Sequence, residues 1–118
     1  MADGPLNLFR IFDGLEEWSP QVVGAVNDYD VKIAAVDGDF PRHNHEETDE
    51  FFLVLAGTFT LHLDDRDVVL EQGDAYTVPR GVYHRPHAAP GTRILMVEPR
   101  GTFNTGDAST GTTGNRLI

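Results

Sequence analysis

The sequence contains no cysteine, so it can form no disulfide, no thiolate metal site and no cysteine nucleophile, and any metal ion must be held through nitrogen and oxygen. Basic residues are scarce. Nine Lys and Arg stand against nineteen Asp and Glu, a formal charge of −10, which is the wrong sign for displacing counterions from phosphates and excludes nucleic acid as an expected partner. Long apolar runs are missing as well. The longest strongly apolar stretch, Phe51 to Ala56, is far below membrane-spanning length, and Met1 to Arg10 has no basic segment followed by an apolar region. The expectation is a cytoplasmic protein with no membrane partner. No Gly-rich phosphate loop, Ser-His-Asp arrangement or paired-carboxylate motif is evident.

What is present is ordinary for a globular domain: 40% hydrophobic and 24% charged residues in a chain of 118, which is one domain's length and buries roughly two-thirds of its unfolded surface. Leu8, Ile11, Phe12 and Leu15 recur at helical spacing and predict a short N-terminal helix that ends before Pro20. From Val22 the pattern changes to short runs of Val, Ile, Phe, Leu and Thr cut by Gly, Pro, Asn and Asp. Strands are expected near 22–26, 30–37, 43–46, 50–56, 58–63, 66–71, 75–78, 84–89 and 92–98. Phe59, Leu61 and Leu63 alternate with Thr58, Thr60 and His62, the signature of a strand with one wet face. Phe51 to Leu55 is apolar on both faces, so one face lines an interior and the other meets a second sheet or a second subunit. With the apolar early segment at 22–36, this predicts a homodimer. Gly101 to Ile118, with four glycines and five threonines, reads as a flexible tail or a lid after a barrel core of about 22–100.

Four of the five histidines fall in two clusters. In the first, Pro41-Arg42-His43-Asn44-His45, residues two apart in a strand share a face, so His43 and His45 present two imidazoles to one ion while Asn44 points away. Glu50 shares its phase with Phe52 and Val54, which turns its carboxylate inward. The second cluster, Gly81 to His87, can supply a third imidazole from a distant strand. Three neutral imidazoles and a carboxylate suit a borderline divalent ion such as Zn, Fe, Mn, Ni or Co. Four protein ligands leave an octahedral ion two positions for a substrate oxygen, water or dioxygen. A His-x-His read alone is more often a surface pair; the argument lies in the whole constellation.

Gly38, His43, His45, Glu50 and Gly57, followed by Gly73, Pro79, Gly81 and His84, resemble the paired motifs of the cupin superfamily. The first motif is Gly, five residues, His-x-His, three or four residues, Glu, six residues, Gly; the second is Gly, five residues, Pro-x-Gly, two residues, His, three residues, Asn. Here only four residues separate Gly38 from His43, and Ala88 stands where the closing Asn would be; neither departure removes a ligand. Asp49 fits the shorter variant of the first spacing, but the six residues before Gly57 select Glu50. The resemblance implies an all-β fold, a cupin-type antiparallel β-barrel or jelly roll over a single domain, with His43, His45, Glu50 and His84 as ligands to one divalent metal ion. Trp18-Ser19-Pro20, Glu98-Pro99 and Asn104-Thr105-Gly106 are similar to small bacterial single-domain cupins, often labelled mannose-6-phosphate isomerase-like.

Arg42 and Arg85 neighbour ligands in sequence, and guanidinium forks at a pocket rim can clamp a carboxylate or phosphate of a small-molecule substrate; the plainer reading is surface ion pairs. Tyr76 and Tyr83 can donate to a bound ligand or simply pack. His62 and His87 are expected at the surface. No residue is assigned as a general acid or base. The functional expectation is a metalloenzyme acting on a small oxygenated molecule by isomerase, lyase or cyclase, or dioxygenase chemistry. The alternative is a metal-bearing module that binds a small ligand and turns nothing over.

Overall fold

A computed structural model of the chain describes residues 4–106 and 111–118. Among the described residues there is one helix, α1 (Leu8–Phe12), which Asn7 caps by accepting from Arg10 N at 3.1 Å. The predicted face is visible in its burial: Phe12 is buried and Leu8, Ile11 and Leu15 are half-buried, although Leu15 lies beyond the helix end.

Strands follow as β1 (Gln21–Val26), β2 (Tyr29–Asp39), β3 (Glu50–Ala56), β4 (Thr58–Leu63), β5 (Asp67–Glu71), β6 (Ala75–Val78), β7 (His84–Pro99) and β8 (Asn115–Arg116). Hydrogen-bonded neighbours run β5-β4-β7-β2-β1-β8, and β3 pairs with β6 and β7. All pairs are antiparallel except β1 with β8. The long strand β7 joins the two layers. Its first residues pair with β4, from Leu63↔His84 to Phe59↔Ala88, and its last pair with β3, from Ala56↔Arg93 to Phe51↔Val97. Along the other edge β2 accompanies it from Asp39↔His87 to Tyr29↔Pro99. This is the all-β double-layered fold with one short helix that the sequence implied.

Between the layers lie Ala34, Val36, Phe52, Val54, Phe59, Leu61, Leu70, Val78, Ala88, Ile94 and Met96. Alternation selects them: Phe59 and Leu61 are sealed while Thr58, Thr60 and His62 are not. In β3, Glu50, Phe52 and Val54 face inward and Phe51, Leu53 and Leu55 are half-buried on the other side.

Two strand expectations are corrected. Residues 43–46 form no strand; the segment touches the sheet only through a His43↔His84 bridge. Pro41 has no N–H to give a ladder, and the following backbone is held one bond at a time, with Gly81 N donating to His45 O at 2.8 Å. The strands expected at 84–89 and 92–98 are one continuous β7, because Gly91 takes φ +80° and lets β2 stay paired across the irregularity.

The C-terminal segment, expected as a tail or lid, lies against the sheet where it is described; residues 107–110 lie outside the described residues. Asn115 N donates to Pro20 O and Leu117 N to Val22 O, both at 3.0 Å. Arg116 reaches both oxygens of buried Asp30 at 3.0 Å.

Gly57 turns β3 into β4 at φ +84°, and a Cβ there would stand 2.7 Å from the Thr92 Cα. Thr92 is itself pinned, its hydroxyl donating to Thr58 O at 3.0 Å and accepting from Thr58 N at 3.1 Å. Gly57→Ala is therefore expected to lower unfolding free energy by about 2–4 kcal/mol through combined backbone strain and overpacking; urea denaturation against wild type measures it.

Candidate metal centre

Three connections deliver the site. His43 and His45 stand on the link between β2 and β3, Glu50 opens β3 and His84 opens β7. Two backbone bonds, His43 N to His84 O at 3.0 Å and His84 N to His43 O at 2.9 Å, hold that link on the sheet. His43, His45, Glu50 and His84 are 8%, 4%, 4% and 0% exposed. One ligand atom from each lies within 4.8 Å of the other three.

The imidazole orientations are set by the backbone. His43 Nδ1 lies 2.8 Å from Pro41 O and His84 Nδ1 lies 3.0 Å from Val82 O. A carbonyl only accepts, so both rings carry the proton on Nδ1 and turn a lone pair on Nε2 toward the cluster. His45 Nε2 and His84 Nε2 approach Glu50 Oε1 at 3.2 and 3.5 Å. Among the described residues these three atoms are buried without a hydrogen-bond partner. Converging neutral nitrogens and a carboxylate oxygen that lack partners are what an N/O-liganded divalent cation would satisfy. The residues present fit such an ion.

Electrostatics support the protonation states that ligands need. Burial, aided by the neighbouring His84, lowers the His43 pKa to about 4. Burial alone would raise the Glu50 carboxyl, but Glu98, His45 and His84 outweigh it and hold it well below the usual range. Glu98 moves the other way, pushed up by burial and by Glu50 against the pull of Lys32.

Glu98 and Lys32 carried no functional reading in the sequence. Both are 1% exposed, with Lys32 Nζ 2.8 Å from Glu98 Oε1 and donating to Thr102 O at 3.1 Å. Glu98 Oε2, like the cluster atoms, is buried without a hydrogen-bond partner. The signal that finds them is phase: Lys32 shares the buried face of β2 with Ala34 and Val36, and Glu98 that of β7 with Ile94 and Met96. A charge on an apolar phase is either paired in the interior or absent.

Beside the cluster is a cavity of about 40 Å³. His43 and Glu50 form part of its wall, and aromatic side chains including Trp18, Phe40, Phe52 and Phe59 form much of the rest. Trp18 stacks on Phe40 at 4.7 Å and donates its Nε1–H to Asp37 O at 2.9 Å. Asn104, from the C-terminal segment, also lines it.

The structure does not bring the remaining sequence candidates to this cavity. Arg42 is exposed, 3.1 Å from Asp64 and over the Tyr83 ring at 4.1 Å. Arg85 is paired to Asp39 at 3.1 Å. The Tyr76 hydroxyl accepts from Arg66 at 3.1 Å while its ring packs against the core. Lying beside a ligand in the chain sends a side chain to the opposite face when the backbone is extended, as in Arg85 after His84. His62 and His87 are surface residues paired to Asp67 and Asp39 at 2.6 and 2.7 Å.

A family model described as Cupin domain matches residues 30–98. The chain is 38% identical to a cupin-2 domain containing protein from Shewanella frigidimarina NCIMB 400, whose crystal structure superposes with a TM-score of 0.78 over 80% of this chain and 94% of that one. It is 34% identical over 77 residues to the uncharacterized protein YdbB of Bacillus subtilis (strain 168), covering 64% of this chain and 68% of YdbB. Against the 3-hydroxyanthranilate 3,4-dioxygenase of Bos taurus it is 36% identical over 76 residues, 59% of this chain but only 27% of the bovine protein.

Two expectations follow from the charges. Because His43 is depressed from 6.5 to about 4 when folded, the unfolded chain binds the extra proton between those values, so chelator-treated protein should lose stability as pH falls from about 6.5 to about 4, by roughly 3 kcal/mol. Urea melts across that range test this, with His43→Gln removing most of the slope. Lys32→Met should cost about 3–5 kcal/mol by leaving Glu98 without its cation, and Lys32→Met/Glu98→Gln should recover much of that loss in the same denaturation assay.

Proposed function

The chain belongs to the Cupin domain family, and from that premise we propose that it is a metalloprotein that binds one divalent ion through His43, His45, Glu50 and His84 and acts on a small oxygenated molecule. The observation that carries this is the convergence of four buried ligand atoms within 4.8 Å, three of which have no hydrogen-bond partner among the described residues. Zn, Fe, Mn, Ni and Co all accept this donor set. Such an ion, once bound, supplies Lewis-acid polarisation of a substrate oxygen or, if redox-active, oxygen chemistry.

The chain's own residues do the rest. Pro41 O and Val82 O orient the rings of His43 and His84, and Glu50 contributes the anionic oxygen. The cavity beside the cluster has a mainly apolar wall, which favours an apolar face on whatever approaches the ion. The likeness to the bovine dioxygenase supports dioxygenase chemistry as the first reaction to assay, ahead of isomerase and lyase chemistry. The half-buried outer face of β3, with Phe51, Leu53 and Leu55, supports assembly as a homodimer.

Elemental analysis of protein purified without a His tag or chelator should find about one divalent ion per chain, as one four-ligand site requires. A His43→Ala/His84→Ala variant of unchanged circular dichroism should contain almost none. Full occupancy in that variant would overturn the assignment. Acid should release the ion, because protonating an imidazole removes a ligand.

A further inference from the structure

Two spaces border the ligand cluster, and they differ in size and in chemistry. The inner cavity, with His43 and Glu50 in its wall, measures about 40 Å³ and holds no more than a few water molecules. The other is a surface cleft of about 380 Å³, within the range of small-molecule sites. It is lined by Glu47 and Thr48 from the link before β3 and by Thr102, Phe103 and Gly106 from the C-terminal segment. His45 belongs both to the cluster and to this cleft.

The cleft is held on both sides. The Thr48 hydroxyl donates to Asp49 O at 3.0 Å, and Asp49 Oδ1 accepts from Arg80 N at 2.9 Å. Across from them, Thr102 O accepts from buried Lys32 at 3.1 Å and the Thr102 hydroxyl donates to Pro99 O at 2.7 Å. Its charge has one sign. Among the described residues no lysine or arginine lines it, and apart from His45 the exposed Glu47 supplies its ionisable side chain. The guanidinium groups that could have reversed this are turned elsewhere: Arg42 pairs with Asp64, Arg85 with Asp39, and Arg100 lines a separate cavity with Asp30 and Arg116. An anion entering the cleft therefore meets a carboxylate and no cation, whereas an uncharged molecule is not opposed.

We propose that this cleft is the entrance to the metal centre and that Glu47 makes it select small uncharged molecules over carboxylates and phosphates. This deepens the metal reading above and rests on it. Phe103 offers the body of such a molecule an aromatic contact.

The test uses the full chain loaded with Co(II), whose absorption spectrum changes when a new ligand reaches the ion. Azide, an anion, and imidazole, mainly neutral at about pH 8, are titrated separately. Glu47→Lys should tighten azide binding about threefold to tenfold in about 0.01 M sodium perchlorate, the size of reversing one charge within about 10 Å in water. In about 0.5 M salt that gain should fall below about twofold, because the Debye length shrinks to a few Å. Imidazole affinity should move by less than about twofold throughout. Glu71→Lys makes the same charge change at the opposite end of β4 from His84, where Thr58 pairs with Glu71 and Leu63 with His84, and should leave both affinities within about twofold. Thr48→Trp, which fills the cleft from a half-buried wall position, should weaken both ligands with Co(II) content unchanged. Azide that responds no more to Glu47→Lys than to Glu71→Lys, or ligands that bind Thr48→Trp as tightly as wild type, overturns the inference with the metal reading intact. Loaded wild type that binds neither ligand does the same. Failure of wild type to take up Co(II) overturns the metal reading and this inference with it.

Discussion

Two backbone hydrogen bonds between His43 and His84 hold the candidate centre together. They join an irregular connection to the start of β7 at 3.0 and 2.9 Å, and bring two imidazoles from opposite ends of the motif to a centroid separation of 4.3 Å. Each ring is then aimed by a carbonyl two residues earlier in the chain, Pro41 O or Val82 O. Orientation is therefore local, while proximity depends on pairing across the sheet. The registers of β7 against β2, β3 and β4 follow from the same strand, so the position of His84 is held from three sides.

A site of this kind places charge where the core would otherwise be apolar. Glu50 sits at the head of an inward face shared with Phe52 and Val54, and Glu98 lies against it. Two carboxyls in contact in a low-dielectric interior do not both ionise readily, and the opposite shifts of Glu50 and Glu98 express that. Lys32, the one lysine of the chain, supplies the compensating cation. Its second role is mechanical: by donating to Thr102 O it ties the beginning of the C-terminal segment to the same charge cluster. The interior ion pair thereby connects the centre to the segment that carries Asn104.

The expectation that His43 and His45 share a strand face was mistaken in its reason, although the two side chains do converge. Pro41 and the acidic run Glu46, Glu47 and Asp49 break the segment out of the sheet, and Asp49 Oδ1 is engaged by Arg80 N at 2.9 Å. What brings the rings together is the bridge to β7 and the bond from Gly81 N to His45 O. Arg42, Arg85 and Tyr76, open in the sequence between rim donors and plain surface pairing or packing, lie away from the cavity, because neither proximity along the chain nor a donor group sets which way a side chain faces. Arg85 follows His84 in an extended strand and so emerges on the far side, where Asp39 pairs with it.

By itself the sequence determined the all-β class, the strands whose alternation is strict, the absence of thiolate chemistry and the spacing that marks His43, His45, Glu50 and His84 as a set. These are legible because period, turn chemistry and residue type act over a few neighbours. Only the tertiary structure decided that β7 is one strand shared by both layers, that Lys32 and Glu98 form a buried pair, and that Asn104 reaches the cavity wall. Those features join residues 66 positions apart in Lys32 and Glu98, or 61 apart in His43 and Asn104. Contacts at that separation come from sheet register and segment packing, which leave no periodic mark on the chain.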